Sequence, residues 1–186
     1  MPDSRDSRVH LRAPTPDDQE EFTAAMRASR GLHGAWLAAP STPAAYQGLL
    51  ERASEESFEP MLACLTEGGA IVGFFNVSHI IRGPLQSAFL GYGGVAAHSG
   101  RGYMTEGLRL VLARAFTDLR LHRLEANIQP DNAASIALVR RCGFVREGFS
   151  ERYLRIAGHW RDHERWAISA ERWREPAGRA RPGRRD

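Results

Sequence analysis

Residues 89–129 constrain this chain more than any other stretch, because they place a strand, a glycine-rich turn, an amphipathic helix and a second strand in immediate succession. Phe89 to Val95 has the apolar and β-favouring character of a strand, and Ser99-Gly100-Arg101-Gly102-Tyr103-Met104 forms the turn. From Tyr103 to Leu119, the residues Leu108, Val111, Leu112, Ala115, Phe116 and Leu119 recur at helical spacing and make one buried stripe. Leu124 to Gln129 then alternates, with Leu124, Ala126 and Ile128 on one face and Asn127 on the other. Gly100 and Gly102 lack Cβ, so their amides can approach a ligand closely, and unpaired N–H groups at a helix start meet a favourable dipole. Such a loop is suited to a phosphate or pyrophosphate. The same two glycines would also serve a tight turn with no ligand, so both readings stand on the loop alone.

The remaining elements surround this unit. Val9-His10-Leu11-Arg12 reads as a short first strand, and Thr15-Pro16-Asp17-Asp18 opens a helix with an N-cap, a proline at the first position and two acids at the positive end. Thr42-Pro43 repeats the signal before an apolar face of Tyr46, Leu49, Leu50 and Ala53. Met61 to Leu65 and Ala70 to Ile80 form strands around the turn Thr66-Glu67-Gly68-Gly69. Asn132 caps a short helix reaching Cys142, with Gly143 as its left-handed C-terminal residue. Two last strands, Phe144 to Ile156 and Trp160 to Ser169, turn at Ala157-Gly158. The succession predicts an α/β sheet protein.

A length of 186 residues suits one domain, expected over 1–174, with 175–186 as a tail. That tail carries Arg179, Arg181, Arg184 and Arg185 among prolines and glycines, a composition expected to be disordered, with a weak RNA contact as its functional reading. All 25 basic residues are arginine. Guanidinium groups pair with phosphate through two parallel hydrogen bonds. The charged start and the lack of any long apolar run lead to a cytoplasmic expectation with no membrane contact. Cys64 and Cys142 have neither metal nor redox spacing and are expected as buried thiols. His159 and His163 sit near the last turn without companion thiolates, so no metal is expected there. A dinucleotide fingerprint lacks its third glycine, a P-loop lacks its lysine, and no nucleophile elbow occurs.

Taken with Asn132-Ala133-Ala134-Ser135 and Cys142-Gly143-Phe144, the glycine loop resembles that of the GNAT superfamily of acetyl-CoA-dependent N-acetyltransferases. The family loop runs Gln or Arg, two residues, Gly, one residue, then Gly or Ala, and here Ser99, Gly102 and Met104 hold those places. Ser99 removes the usual long polar side chain. Asn76-Val77, Ile81-Arg82-Gly83, Leu90-Gly91-Tyr92 and Gly158-His159-Trp160-Arg161-Asp162-His163 are similar to the Rim-type branch, which acetylates ribosomal proteins.

The resemblance implies a mixed, mostly antiparallel twisted sheet of six to seven strands, splayed at the acetyl-CoA site and flanked by helices. It implies that backbone groups of Gly93, Gly94 and Val95 bind the pantetheine arm, with Val95 polarising the thioester carbonyl. Amides of Gly100, Arg101, Gly102, Tyr103 and Met104 would hold the pyrophosphate, and Asn127 and Asn132 would contact the cofactor. An amine attacks directly, with no covalent enzyme intermediate. The tyrosine acid of many members is replaced here by Val139, four residues before Gly143. Ser135 is then either the acid or a small polar residue of the first helical turn. His79, Glu151, Tyr153 and Asp162 are substrate-side candidates, and Glu106 is read as structural. Three functions stand at this stage: acetylation of a protein N-terminus, ribosomal or other; acetylation of a small-molecule amine; and a non-catalytic CoA-binding or ribosome-assembly module.

Overall fold

The computed structural model describes residues 7–174, so the arginine-rich tail lies outside the described residues. Seven strands form one sheet in the order β1-β2-β3-β4-β5-β7-β6. They are β1 (Val9–Arg12), β2 (Phe58–Leu65), β3 (Ile71–Ile81), β4 (Ser87–Gly94), β5 (Arg123–Ile128), β6 (Val145–Ile156) and β7 (His159–Ser169). Every neighbouring pair is antiparallel except β4 and β5, which run parallel because a helix carries the chain back between them. That mostly antiparallel, seven-stranded architecture is the one expected.

Helices cover both faces. On one side α4 (Tyr103–Ala113) and α5 (Ala133–Arg141) bury Leu108, Val111, Leu112, Leu138 and Val139 against Phe75, Val77, Leu124 and Ala126. On the other side α1 (Gln19–Ala28) and α3 (Pro43–Arg52) pack Phe22, Met26, Tyr46 and Leu49 over Leu62 and Phe74. Two shorter helices, α2 (Arg30–His33) and α6 (Ala170–Arg174), were not expected. Each has too few residues to show a helical period.

Local chemistry sets the boundaries. Thr42 Oγ1 accepts the Ala45 N–H at 3.2 Å and starts α3 as the sequence predicts. At Thr15 the roles reverse: the Asp18 carboxylate accepts both the Thr15 N–H and its hydroxyl, at 2.8 and 2.9 Å, while Arg12 donates to it at 2.7 Å. Pro16–Asp18 is accordingly a 3-10 turn preceding α1. The stripe expected to run to Leu119 as one α-helix instead ends in a π-turn over Arg114–Asp118. Widening the last turn lets the adjacent Ala115 and Phe116 both face the core, Phe116 against the Trp173 ring at 5.5 Å.

Both cysteines are free and buried, and burial pushes the Cys142 thiol up to about 11. No described helix is long and apolar enough to cross a membrane.

The position of α4 depends on a bare strand. A Cβ at Gly73 would stand 2.8 Å from the Gly93 carbonyl oxygen and 2.4 Å from Met104 Sδ. The thioether of the first α4 turn therefore rests directly on the β3–β4 backbone and fixes where the helix begins. Gly73→Ala is expected to destabilise the fold by about 1–3 kcal/mol through overpacking, and to weaken acetyl-CoA binding by displacing the α4 start. Urea unfolding and calorimetric titration check the two effects.

Candidate active site

Parallel pairing between β4 and β5 lasts only from Ser87, Ala88 and Phe89 to Arg123, Leu124 and Glu125. Beyond that the strands part, and a cleft of about 1130 Å³ opens between their ends. Its walls come from β4, the α4 start, β5, α5, the segment 32–37 and the β6–β7 hairpin.

Backbone parity decides which β4 groups face the cleft. The Val95 N–H donates to the Val72 carbonyl at 2.9 Å, so Val95, and by alternation Gly93 and Gly91, turn their polar groups toward β3. Gly94 and Tyr92 turn theirs the other way. The Gly94 carbonyl accepts from His33 Nε2 at 2.9 Å on that side. The expected polarising role of the Val95 amide is thus corrected: its N–H is already spent in the sheet, and the cleft-facing amides are those of Gly94 and Tyr92. Gly93 lines the cleft for a packing reason, since a Cβ there would meet Phe74 at 2.6 Å and Leu37 at 2.7 Å.

At the α4 start, Gly102 adopts φ +84°, a left-handed conformation that suits glycine, and Gly100 has φ +75°. Thr105 and Glu106 N–H groups close onto the Gly102 carbonyl at 2.9 and 3.1 Å. The amides before them are the first of the helix, without intrahelical acceptors, and Gly100, Gly102, Tyr103 and Met104 line the cleft. The Arg101 side chain is exposed and outside the lining, and its carbonyl accepts from Arg8 Nη2 at 3.0 Å. Arg8 also lies over the Tyr103 ring at 4.8 Å and donates to Glu106 through Nε at 2.9 Å. Glu106 is thus a structural partner, as its place in the helix suggested. The arginines that do line the cleft are Arg109 and Arg141, which the loop motif gave no reason to select.

On the opposite strand, Asn127 lines the cleft and its Oδ1 is buried without a protein partner. Asn132 Oδ1 accepts the Ser135 N–H at 3.1 Å, the expected cap, and both residues line the cleft. Val139 is fully buried in the core. A phenol does reach this region from another strand: Tyr92 lines the cleft, its hydroxyl stands 3.5 Å from the Ser135 carbonyl, and burial pushes it up to about 12. Alternation alone could have pointed to Tyr92, which shares the parity of Gly94.

Segment 29–37 closes the far side of the cleft. Ser29 Oγ accepts the Ala96 N–H at 2.9 Å, His33 holds Gly94, and Gln129 Nε2 donates to the Ala35 carbonyl at 3.0 Å. This strap bridges the ends of β4 and β5 and brings Trp36 and Leu37 into the cleft. Of the four substrate-side candidates, His79 and Tyr153 line the cleft, whereas Glu151 and Asp162 do not. Asp162 instead accepts the Arg152 N–H within the hairpin at 2.7 Å. Among the described residues, no group of three or more metal-type side chains is assembled.

The comparisons with known proteins agree with this geometry. A family model described as an acetyltransferase (GNAT) domain matches residues 8–145. The [Ribosomal protein uS5]-alanine N-acetyltransferase of Escherichia coli (strain K12) is 36% identical over 103 residues, 55% of this chain and 53% of that protein. The chain spans between about half and two thirds of the length of the curated relatives it first matches. Mycobacterium smegmatis RimJ in complex with CoA-disulfide superposes with a TM-score of 0.82 at 29% identity, covering 90% of this chain and 84% of that one. The Vibrio cholerae spermidine N-acetyltransferase in complex with CoA and spermine shares the fold, with a TM-score of 0.77 at 21% identity over 90% of this chain and 98% of that one. With the family model spanning well over half of its length, the chain belongs to the GNAT acetyltransferase family.

Proposed function

We propose that this protein transfers the acetyl group of acetyl-CoA to a primary amine by direct attack in a ternary complex, and that the amine is the N-terminal α-amine of a protein, with a ribosomal protein as the candidate. One observation carries the choice of acceptor. Among the described residues lining the cleft, Glu106 is the single carboxylate, and it is committed to Arg8 at the α4 start. The acceptor wall is built instead from Trp36, Leu37, Phe89, Tyr153 and Leu154. A polyamine would leave its remaining ammonium groups without counter-charges there, whereas an α-amine beside a small side chain brings one nitrogen and little else. The uS5-alanine N-acetyltransferase relative supports the same acceptor class.

The residues present fit acetyl-CoA. The α4 amides from Gly100 to Met104 receive the pyrophosphate, and Arg109 and Arg141 supply positive charge. Asn127 Oδ1, buried and unpartnered, accepts an amide N–H of the pantetheine arm. Gly94 N–H, held in orientation by the carbonyl contact to His33, donates to the thioester oxygen as it gains charge. Ser135, which lines the cleft with Tyr92 beside it, is the group assigned to give the leaving sulfur its proton. Asn132 contributes through its cap, which fixes the first α5 turn under Ser135.

A second reading, a small apolar amine as acceptor, draws on the same aromatic wall. An acceptor panel separates the two. Peptides beginning with Ala, Ser or Thr are expected to turn over faster than spermidine and small aromatic amines, and absence of CoA thiol release with every peptide would overturn the N-terminal reading. Gly102→Glu, which forces a side chain into a left-handed position and places a carboxylate among phosphates, is expected to abolish acetyl-CoA binding in calorimetry while the circular dichroism spectrum is retained. Ser135→Ala is expected to lower kcat by about 10-fold or more with little change in KM for acetyl-CoA. An unchanged kcat removes Ser135 from the chemistry.

A further inference from the structure

The proposed reaction leaves one proton unassigned. A protein α-amine has a pKa of about 8, so near neutral pH most acceptor molecules arrive as ammonium and must lose a proton before the nitrogen can attack. Among the described residues lining the cleft there is no free carboxylate to take it, because the one carboxylate there is Glu106, committed to Arg8. The group must therefore be an imidazole or water, and the imidazoles of the cleft are not equivalent. His33 donates through Nε2 to the Gly94 carbonyl, and His79 is exposed beside Ser78. His98 lies edge-on to Tyr103, at the pyrophosphate end.

His163 differs from all three. It is 3% exposed yet lines the cleft. Its Nδ1 stands 2.9 Å from the Arg161 carbonyl oxygen. A carbonyl can only accept, so Nδ1 carries the proton of the neutral ring and the lone pair is on Nε2. The register fixes the face as well. Trp166, opposite Ala126, and Ile168, opposite Leu124, point into the core beneath α4 and α5. His163 has the other parity, shared with Arg165, which lies opposite Asn127. Tyr153 of β6 lies edge-on to the ring at 6.2 Å.

We propose that His163 is the general base, its Nε2 accepting the proton that the acceptor ammonium gives up. The inference rests on the acetyltransferase reading above. The first proton passes from the ammonium nitrogen to Nε2 and on to water. The freed nitrogen lone pair forms the bond to the thioester carbon, and the carbon–sulfur bond breaks with its electron pair on sulfur. The second nitrogen proton balances the thiolate, delivered on the Ser135 side. The Arg161 carbonyl fixes the tautomer and stabilises the imidazolium while it exists. Burial, opposed by the Arg161 carbonyl and by Asp162, holds the imidazole below its ordinary pKa, which keeps it neutral and able to accept at pH 7. Tyr153 and Arg161 contact the ring and Asp162 acts on it through its charge, while Glu164 and Arg165 follow it on β7.

The test uses the full chain and whichever peptide the wild-type protein acetylates. His163→Ala is expected to lower kcat about 100-fold or more with acetyl-CoA affinity unchanged by calorimetry. Added imidazole should restore turnover in proportion to its concentration, with substituted imidazoles ranked by basicity. Retained wild-type kcat, or failure of every imidazole to restore turnover in a variant that still binds acetyl-CoA, overturns the assignment. His163→Gln and nitrogen NMR of the ring-labelled wild-type protein guard against misfolding of the alanine variant, since a proton found on Nε2 rather than Nδ1 of the neutral ring refutes it without any mutation. If the wild-type chain acetylates no amine, it is the parent reading that fails; if it does and rescue fails, only the role of His163 falls.

Discussion

Three residue pairs of parallel ladder hold β4 to β5, and the rest of the molecule is arranged around the point where they stop. A sheet that continued would satisfy the backbone of both strands and leave no room for a ligand. A sheet that parted earlier would lose the alignment of the α4 start with the β4 edge. Parting after Phe89 and Glu125 leaves N–H and C=O groups of Tyr92 and Gly94 without a partner on β5. In the proposed reading, the N–H groups of Tyr92 and Gly94 are what the extended amide chain of a pantetheine arm completes, while the Gly94 carbonyl is already held by His33.

Such a gap would be costly if both arms were free to move, and the strap from Ser29 to Leu37 prevents that. Its three hydrogen bonds reach Ala96, Gly94 and Gln129, one beyond the end of β4, one on it, and one just past β5. On the other face, Met104 rests over Gly73 and Gly94, so the helix start is seated on the same stretch of strand that the strap holds. The α4 start and the strap wall of the cleft are thus referenced to a few residues of β4. Preorganisation of this kind is what lets backbone donors stabilise developing charge without reorganising.

Much of this was legible in the sequence because local rules operate locally. The glycine loop, the caps at Thr42 and Asn132, the left-handed Gly143 and the alternation of β5 all follow from short-range sterics and hydrogen bonding, and the structure has them in place. What was missed depends on parity or on distant contacts. Val95 was expected to turn its N–H toward the cleft, whereas that N–H pairs with the Val72 carbonyl, since period-two structure turns every shift of one into a change of side. Arg109, Arg141 and the strap reach the cleft through tertiary packing, which no motif encodes. His163 was weighed as a metal ligand or a strand-packed imidazole, and what sets it apart, an Arg161 carbonyl two residues away and a cleft formed by other elements, has no motif.

The ion pairs that secure the scaffold are Arg8 with Glu106, Arg12 with Asp18, Arg114 with Glu59 and Asp118, and Arg123 with Glu125 and Glu147. Each of these uses a guanidinium, in a chain without lysine. A guanidinium stays protonated across the working range and offers no free lone pair to an acyl carbon. Under the proposed reaction, this lysine-free chain presents no side-chain amine to the thioester, and its charge network is chemically inert toward that reagent.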